Sequence, residues 1–188
     1  MKSGTKILIV VAVIAVILIG SVVGTYNGLV TKQENVDNKM ADISVQLERR
    51  TDLIPNLINT VKGYTKHEES IINEITTARE NLVGAKTVEE KAAANDKLTS
   101  ALNGLTVIVE NYPDLKSNQN FIQLQDELAG TENRIATARR DYNEAVKEYN
   151  KDIKKFPNSI IAGMFNFEKA AYFEAKESAK SVPEVSFE

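Results

Sequence analysis

Residues 49–57 read RRTDLIPNL, which sets two guanidinium groups, a carboxylate and an amide around a proline. A proline inside a helix brings no amide hydrogen, so the carbonyl of Thr51, four residues back, loses its donor and the ring pushes that turn open. Asp52 and Asn56 stand four apart on one face of such a turn, and Arg49 precedes Asp52 by three on the same side. Two uses fit this pattern. Arg49, Asp52 and Asn56 can form a polar notch that meets a partner or a loop of the same chain, or the kink can simply curve the helix around its neighbours. Arg49, Arg50, Asp52, Pro55 and Asn56 are therefore the candidate partner-binding residues.

Other chemistry is poorly provided for. His67 is the only histidine and the chain has no cysteine, so a transition-metal ligand set is not completed. His67 and Glu68, adjacent in sequence, point in different directions on a helix. The paired Glu-x-x-His pattern of a carboxylate-bridged di-metal bundle does not occur, nor does a Gly-x-Ser-x-Gly turn or a glycine-rich phosphate loop. The expectation is a protein that is not an enzyme, with no catalytic residue, no metal and no cofactor. The repeat Tyr142-Asn143 and Tyr149-Asn150, seven residues apart, falls on one helix face and reads as a packing and hydrogen-bonding ladder, with a sugar-binding strip as the alternative.

The elements that carry these residues are helices. Apolar residues recur at steps of four and three through Val36, Met40, Ile43 and Leu47, then Ile54, Leu57, Val61 and Tyr64, then Ile71, Ile75, Ala78 and Leu82. That rhythm marks a narrow seam packing at a shallow angle and predicts one helix over 36–82, or two pieces in register. The phase survives Pro55, which favours a kink over a break. Two beats, Arg50 and Glu68, are polar; being 18 residues apart, ~27 Å along a helix, they cannot pair with each other and must find partners on neighbouring helices or at the edge of the bundle. They suggest ion pairs or snorkelling groups that fix helix register.

A second stripe runs Leu98, Leu102, Leu105, Val109, Tyr112 and stops at Tyr112-Pro113; the preceding GAKTVEEKAAAN reads as a polar link or frayed turn. A third runs Phe121, Leu124, Leu128, Thr131, Ile135, Ala138, Tyr142, Ala145, Tyr149, Asp152, Phe156 and ends at Pro157. The segment SIIAGMFNFEKAAYFEAKESAK reads as a short fourth helix. Gly84 is a natural stop for the first helix, and Gly63 and Gly104 inside helices point to close helix approach. The expected fold is all-α, an elongated antiparallel bundle of three long helices and one short C-terminal helix behind an N-terminal membrane helix. The expected organisation is an anchor over 1–24, a juxtamembrane segment over 25–35, the bundle over 36–174 and a tail over 175–188.

The anchor is ILIVVAVIAVILIGSVV, residues 7–23, 17 residues without a charge and ~26 Å long as a helix. It is longer than the apolar core of most cleaved signals, Val22-Val23-Gly24 is a poor cut site, and no cysteine offers a lipid anchor, so an uncleaved span is expected. Lys2 and Lys6 precede it, whereas Lys32 and Lys39 after it are diluted by Glu34, Asp37 and Asp42, which places the N-terminus in the cytoplasm and residues 25–188 outside. The net charge of −3 becomes −5 once Lys2 and Lys6 are set aside, a balance unsuited to general nucleic-acid binding.

Arg49-Arg50-Thr51-Asp52-Leu53-Ile54-Pro55-Asn56-Leu57, continuing through Val61-Lys62-Gly63-Tyr64 and His67-Glu68, resembles the hallmark of the bacterial LemA family. Ala138-Arg139, Tyr142-Asn143, Tyr149-Asn150, Phe156-Pro157 and Tyr172-Phe173-Glu174 follow in that family's order. The resemblance covers nearly the whole chain. It implies a bacterial membrane protein with an N-terminal anchor and a long helical bundle, in a family without an established catalytic function, whose relatives are connected with envelope processes and, in magnetotactic bacteria, with membrane-organelle formation.

The function expected from these readings is an interaction or scaffolding module of the bacterial envelope, contacting the bilayer through residues 7–23 and binding envelope proteins. One alternative is an envelope-acting enzyme with its site at the Arg49, Asp52, Asn56 kink. Another is a membrane stress sensor, which would need a cytosolic output domain where only six residues precede the span.

Overall fold

Leu29, Val36, Ile43, Arg50 and Leu57 recur every seven residues along helix α1, Ser3–Lys62, and all five are buried. The computed structural model describes residues 3–65 and 68–174. Five further helices follow: α2 Glu69–Gly84, α3 Val88–Val109, α4 Pro113–Lys116, α5 Gln119–Asp152 and α6 Asn158–Met164. Among the described residues there is no strand, and the fold is all-α with a long apolar N-terminal helix. The anchor, the segment over 25–35 and the first bundle stripe form one continuous helix, with Pro55 inside it.

The chain divides into two units, Met1–Lys39 with Glu144–Ala170, and Met40–Asn143 with Ala171–Glu188. In the second, α1, α2, α3 and α5 alternate in direction. Ser44 accepts from Lys91 and Arg50 donates to Asn95, so α1 and α3 run parallel. Arg139 lies 3.8 Å from Asp96 near the start of α3, while Thr106 further along shares a groove with Gln125, so α3 and α5 are antiparallel. The core is the expected seam: Ile43, Leu47, Ile54, Leu57 and Val61 from α1, Ile71, Ile75, Ala78 and Leu82 from α2, Leu98, Leu105 and Val109 from α3, and Phe121, Leu128 and Ile135 from α5. Fully burying a side chain of this size contributes about 1.5–3 kcal/mol.

The seam does not pass unbroken from 61 to 71. α1 ends at Lys62, where the Tyr64 and Thr65 amides fold back on the Val61 carbonyl at 2.9 and 3.0 Å. Gly63 therefore lies past the helix end with no neighbouring helix against it, whereas Gly104 does mark a close approach, since a Cβ there would stand 3.1 Å from the Ile71 side chain of α2. Tyr64 is exposed instead of seated in the seam, and its hydroxyl accepts from Asn118 at 2.8 Å. Glu68 occupies the N-cap position of α2.

The segment expected to be a polar link instead starts a helix. Thr87 caps α3 by accepting from the Glu90 amide at 3.1 Å, and Glu90 reaches back to the Thr87 amide at 3.0 Å, a reciprocal box that satisfies two otherwise orphaned donors. Asn118 starts α5 in a similar way, accepting from the Phe121 amide at 3.0 Å.

In the first unit, α5 returns antiparallel to α1. Lys32 pairs with Asp152, and the Tyr26 ring meets Phe165 tilted and Phe167 edge-on, at ring-centroid distances of 4.8 and 5.7 Å. Val146 and Ile153 are buried in place of the expected Ala145 and Asp152, because the stripe drifts as 3.6 residues per turn slips against a seven-residue repeat. Phe156, expected in the stripe, is 82% exposed, since α5 has ended four residues earlier. α6 ends at Met164; two residues on, Asn166 has a φ of 57°, the left-handed conformation asparagine tolerates, and the Phe167 amide donates to the Ala162 carbonyl at 2.9 Å. The aromatic segment after it is not helical: residues 167–174 run as an irregular strap. The proposed tail over 175–188, like His67, lies outside the described residues.

Candidate functional site

Arg50 is the largest side chain buried to less than 2% exposure, and it stands where the seven-residue repeat of α1 calls for an apolar group. One guanidinium nitrogen donates to Asn95 Oδ1 of α3 at 2.8 Å, and another lies 3.5 Å from Glu132 of α5. Burial lowers its pKa, while Glu132 and then Asp96 oppose that shift. Nε has no acceptor among the described residues. Arg50 thus ties α1 to two other helices, the use of a polar seam residue that fixes register. The other polar beat also finds a partner across the bundle: Glu68 accepts from the Tyr112 hydroxyl at 2.8 Å, which raises the pKa of that phenol.

Pro55 is exposed and the carbonyl it frees is occupied. Thr51, buried, offers its carbonyl oxygen to Arg79 Nε of α2 at 2.9 Å. A side chain from a neighbouring helix thereby supplies the donor that the proline ring removes.

Arg49, Asp52 and Asn56 all face solvent, as a shared outer face requires. Arg49 pairs with Glu127 of α5 at 2.7 Å, both about half exposed, a contact that contributes only ~0–1 kcal/mol. Glu127 also lines a groove of about 470 Å³ with Asn56, Asn59, Thr60, Asn120, Gln123 and Leu124. The structure thus gathers Arg49 and Asn56 around Glu127, leaves Asp52 outside the groove lining, and turns Arg50 inward to a second groove of about 310 Å³ lined by Leu57, Leu102, Leu105, Leu128 and Glu132 among others. Sequence reasoning missed Arg79, Asn95, Glu127 and Glu132. Only Arg79 had a signal, the carbonyl that any internal proline leaves open.

The asparagine repeat is a hydrogen-bonding ladder, within each unit. Asn150 exchanges two bonds of 2.9 Å with the backbone of Ala170. Asn143 does the same with Phe173, at 2.8 and 3.2 Å, beside a Tyr142 hydroxyl that donates to the Ala171 carbonyl at 2.8 Å. A side-chain amide offers one donor and one acceptor side by side, which is what a lone extended peptide unit needs. Arg139 completes the second clamp, 5.2 Å over the Phe173 ring.

An all-α chain with one N-terminal helix apolar enough to cross a membrane, a buried arginine node and a proline whose carbonyl is capped in trans defines a membrane-type helical-bundle protein. The LemA family model matches residues 39–187, and the chain belongs to the LemA family. It is 28% identical over 196 residues to "Magnetosome protein MamQ 2" of Paramagnetospirillum magneticum, covering 90% of this chain and 72% of that protein. It is 25% identical over 202 residues to "Magnetosome protein MamQ" of Magnetospirillum gryphiswaldense, covering 93% and 74%. "Protein LemA" of Metamycoplasma hominis is 27% identical over 159 residues, covering 82% and 71%.

Proposed function

We propose that this chain is a single-pass protein of the bacterial envelope that acts by binding other proteins and not by catalysis, with residues 7–23 in the bilayer, the N-terminus cytoplasmic and the remainder outside. The observation that carries this reading is α1 itself. Residues 7–23 carry no charge and every one of them is exposed, yet the same helix buries Leu29, Val36 and Ile43 further along. A helix apolar all round and uncovered by protein calls for lipid.

The partner surface in this reading is the amide-rich groove lined by Asn56, Asn59, Asn120, Gln123 and Glu127, with Arg49 at its edge, Asp52 on the adjoining face and Pro55 setting the turn. Side-chain amides present donors and acceptors together, which suits a partner's peptide backbone. Arg50 supports the surface from beneath by holding α1 in register. A photo-cross-linking residue at Asn59 in native membranes tests it, with one at the exposed Val107 as the control. Discrete adducts at 59 that disappear with Asn56→Ala and Gln123→Ala support docking there. Equal labelling at both positions, or a specific hydrolytic turnover abolished by Asp52→Ala, overturns the reading.

A further inference from the structure

In the first unit, the residues around α6 form an apolar surface that no described part of the chain covers. Phe156 is 82% exposed, Ile160 53%, Met164 67% and Phe165 48%. Ile160 and Met164 are four apart on the outer face of α6, while Ile161 and Ala162 fill the inner face. On a water-exposed domain such a cluster is anomalous and marks an interaction site.

Its place along α1 indicates the occupant. Phe165 and Phe167 both pack on Tyr26, three residues beyond Val23, where the uncharged stretch ends. At ~1.5 Å per residue that is ~4.5 Å past the end of the span. The interfacial layer is roughly 5–7 Å deep on each side of the hydrocarbon core. Tyr26 therefore sits where interfacial tyrosines collect, and Phe165 sits with it. Lys32 pairs with Asp152 six residues further along α1, ~9 Å higher, so the chain between Asp152 and Phe165 descends toward the bilayer. Lys154, exposed and two residues before Phe156, is of the type that reaches lipid phosphates while an apolar neighbour enters the acyl boundary.

We infer that the α6 turn, through Phe156, Ile160, Met164 and Phe165, rests in the headgroup and upper acyl region of the same membrane that α1 crosses, giving the chain a second lipid contact beside its span. The inference rests on residues 7–23 being that span. The chain has no cysteine, so single thiols report single positions. Full-length Met164→Cys and Ile160→Cys proteins, labelled with a polarity-sensitive fluorophore, are reconstituted into phosphatidylethanolamine and phosphatidylglycerol vesicles containing nitroxide-bearing lipid. Val16→Cys reports the span and Val107→Cys the water-exposed bundle. The expected result is a blue shift and quenching at 160 and 164 by nitroxide placed near the headgroup, quenching at 16 by nitroxide deep in the acyl chains, and neither at 107. Quenching at 16 with none at 160 and 164 overturns the lipid contact and leaves the span standing. No quenching at 16 overturns both. Disulfide-linked dimers of the unlabelled Met164→Cys protein, with no lipid quenching of its labelled form, assign the patch to a second copy of the chain and overturn the inference.

Discussion

Replacing Arg79 with alanine removes the side-chain donor to the Thr51 carbonyl, and Pro55, four residues on, has no amide to take its place. Thr51 is only 5% exposed, so its carbonyl is poorly reached by water. Hydrogen bonds from a charged donor contribute about 1.5–3 kcal/mol, and leaving a buried acceptor unmet costs about 1–3 kcal/mol. Arg79→Ala is therefore expected to cost about 1.5–3 kcal/mol, a Tm loss of roughly 3–12 °C at ~2–4 °C per kcal/mol for a chain of this size. In a Pro55→Ala background the new amide at 55, four residues after Thr51, donates to the same carbonyl, and Arg79→Ala should then cost less than about 1 kcal/mol. The two substitutions should couple by at least about 0.5 kcal/mol. Thermal unfolding of the four full-length proteins in detergent, followed by helical circular dichroism, completes the cycle. Equal costs of Arg79→Ala in both backgrounds would falsify the claim that Arg79 replaces the amide lost at Pro55.

Asn95→Ala removes the well-aligned acceptor of the buried Arg50 and should lower stability by about 1.5–3 kcal/mol, whereas Glu132→Gln alters a long, half-exposed contact and should change it by under about 1 kcal/mol; denaturant titration of both variants checks the order. Asn143→Ala leaves the Phe173 amide and carbonyl unmet, so limited proteolysis should cut within residues 167–174 faster than in the parent, and unchanged cleavage would contradict the clamp. Asp152 carries a pKa lowered first by its hydrogen bond from Lys32 and then by that from Lys155. A depressed carboxylate stabilises the fold above its unfolded pKa, about 4, and that contribution is lost as pH falls through the folded value. The Tm difference between parent and Asp152→Asn should hence stay constant above pH about 4 and shrink below it, and a difference that grows on acidification would reverse the sign argued here.

The helices were readable because an apolar step of three and four residues leaves little else for the chain to form, and Ile54 and Leu57 on one face revealed that Pro55 does not end α1. The asparagine repeat was readable because two amides seven residues apart must share a face. The break after Lys62 was hidden, since Tyr64 and Glu68 both fit the same rhythm although neither is in the seam. The start of α3 had a signal, Thr87 with Glu90 three residues on, that a composition reading of the link passed over. The strap over 167–174 has no periodicity of its own; its shape comes from Asn143, Tyr142 and Asn150, distant in sequence. For the same reason Glu127, Glu132 and Asn95 could not be assigned to Arg49 and Arg50, because exposed and buried pairings across helices depend on which faces meet.

The placement of the whole chain is tested most directly by thiol accessibility in intact cells, using Lys2→Cys, Val16→Cys and Val107→Cys in a sequence otherwise free of cysteine. With a membrane-impermeant maleimide, the account predicts labelling of residue 107 in intact cells, labelling of residue 2 only after permeabilisation, and no labelling of residue 16 in either case. Labelling of residue 107 only after permeabilisation would put the bundle in the cytoplasm, and free labelling of residue 16 would remove the span on which the proposed function depends.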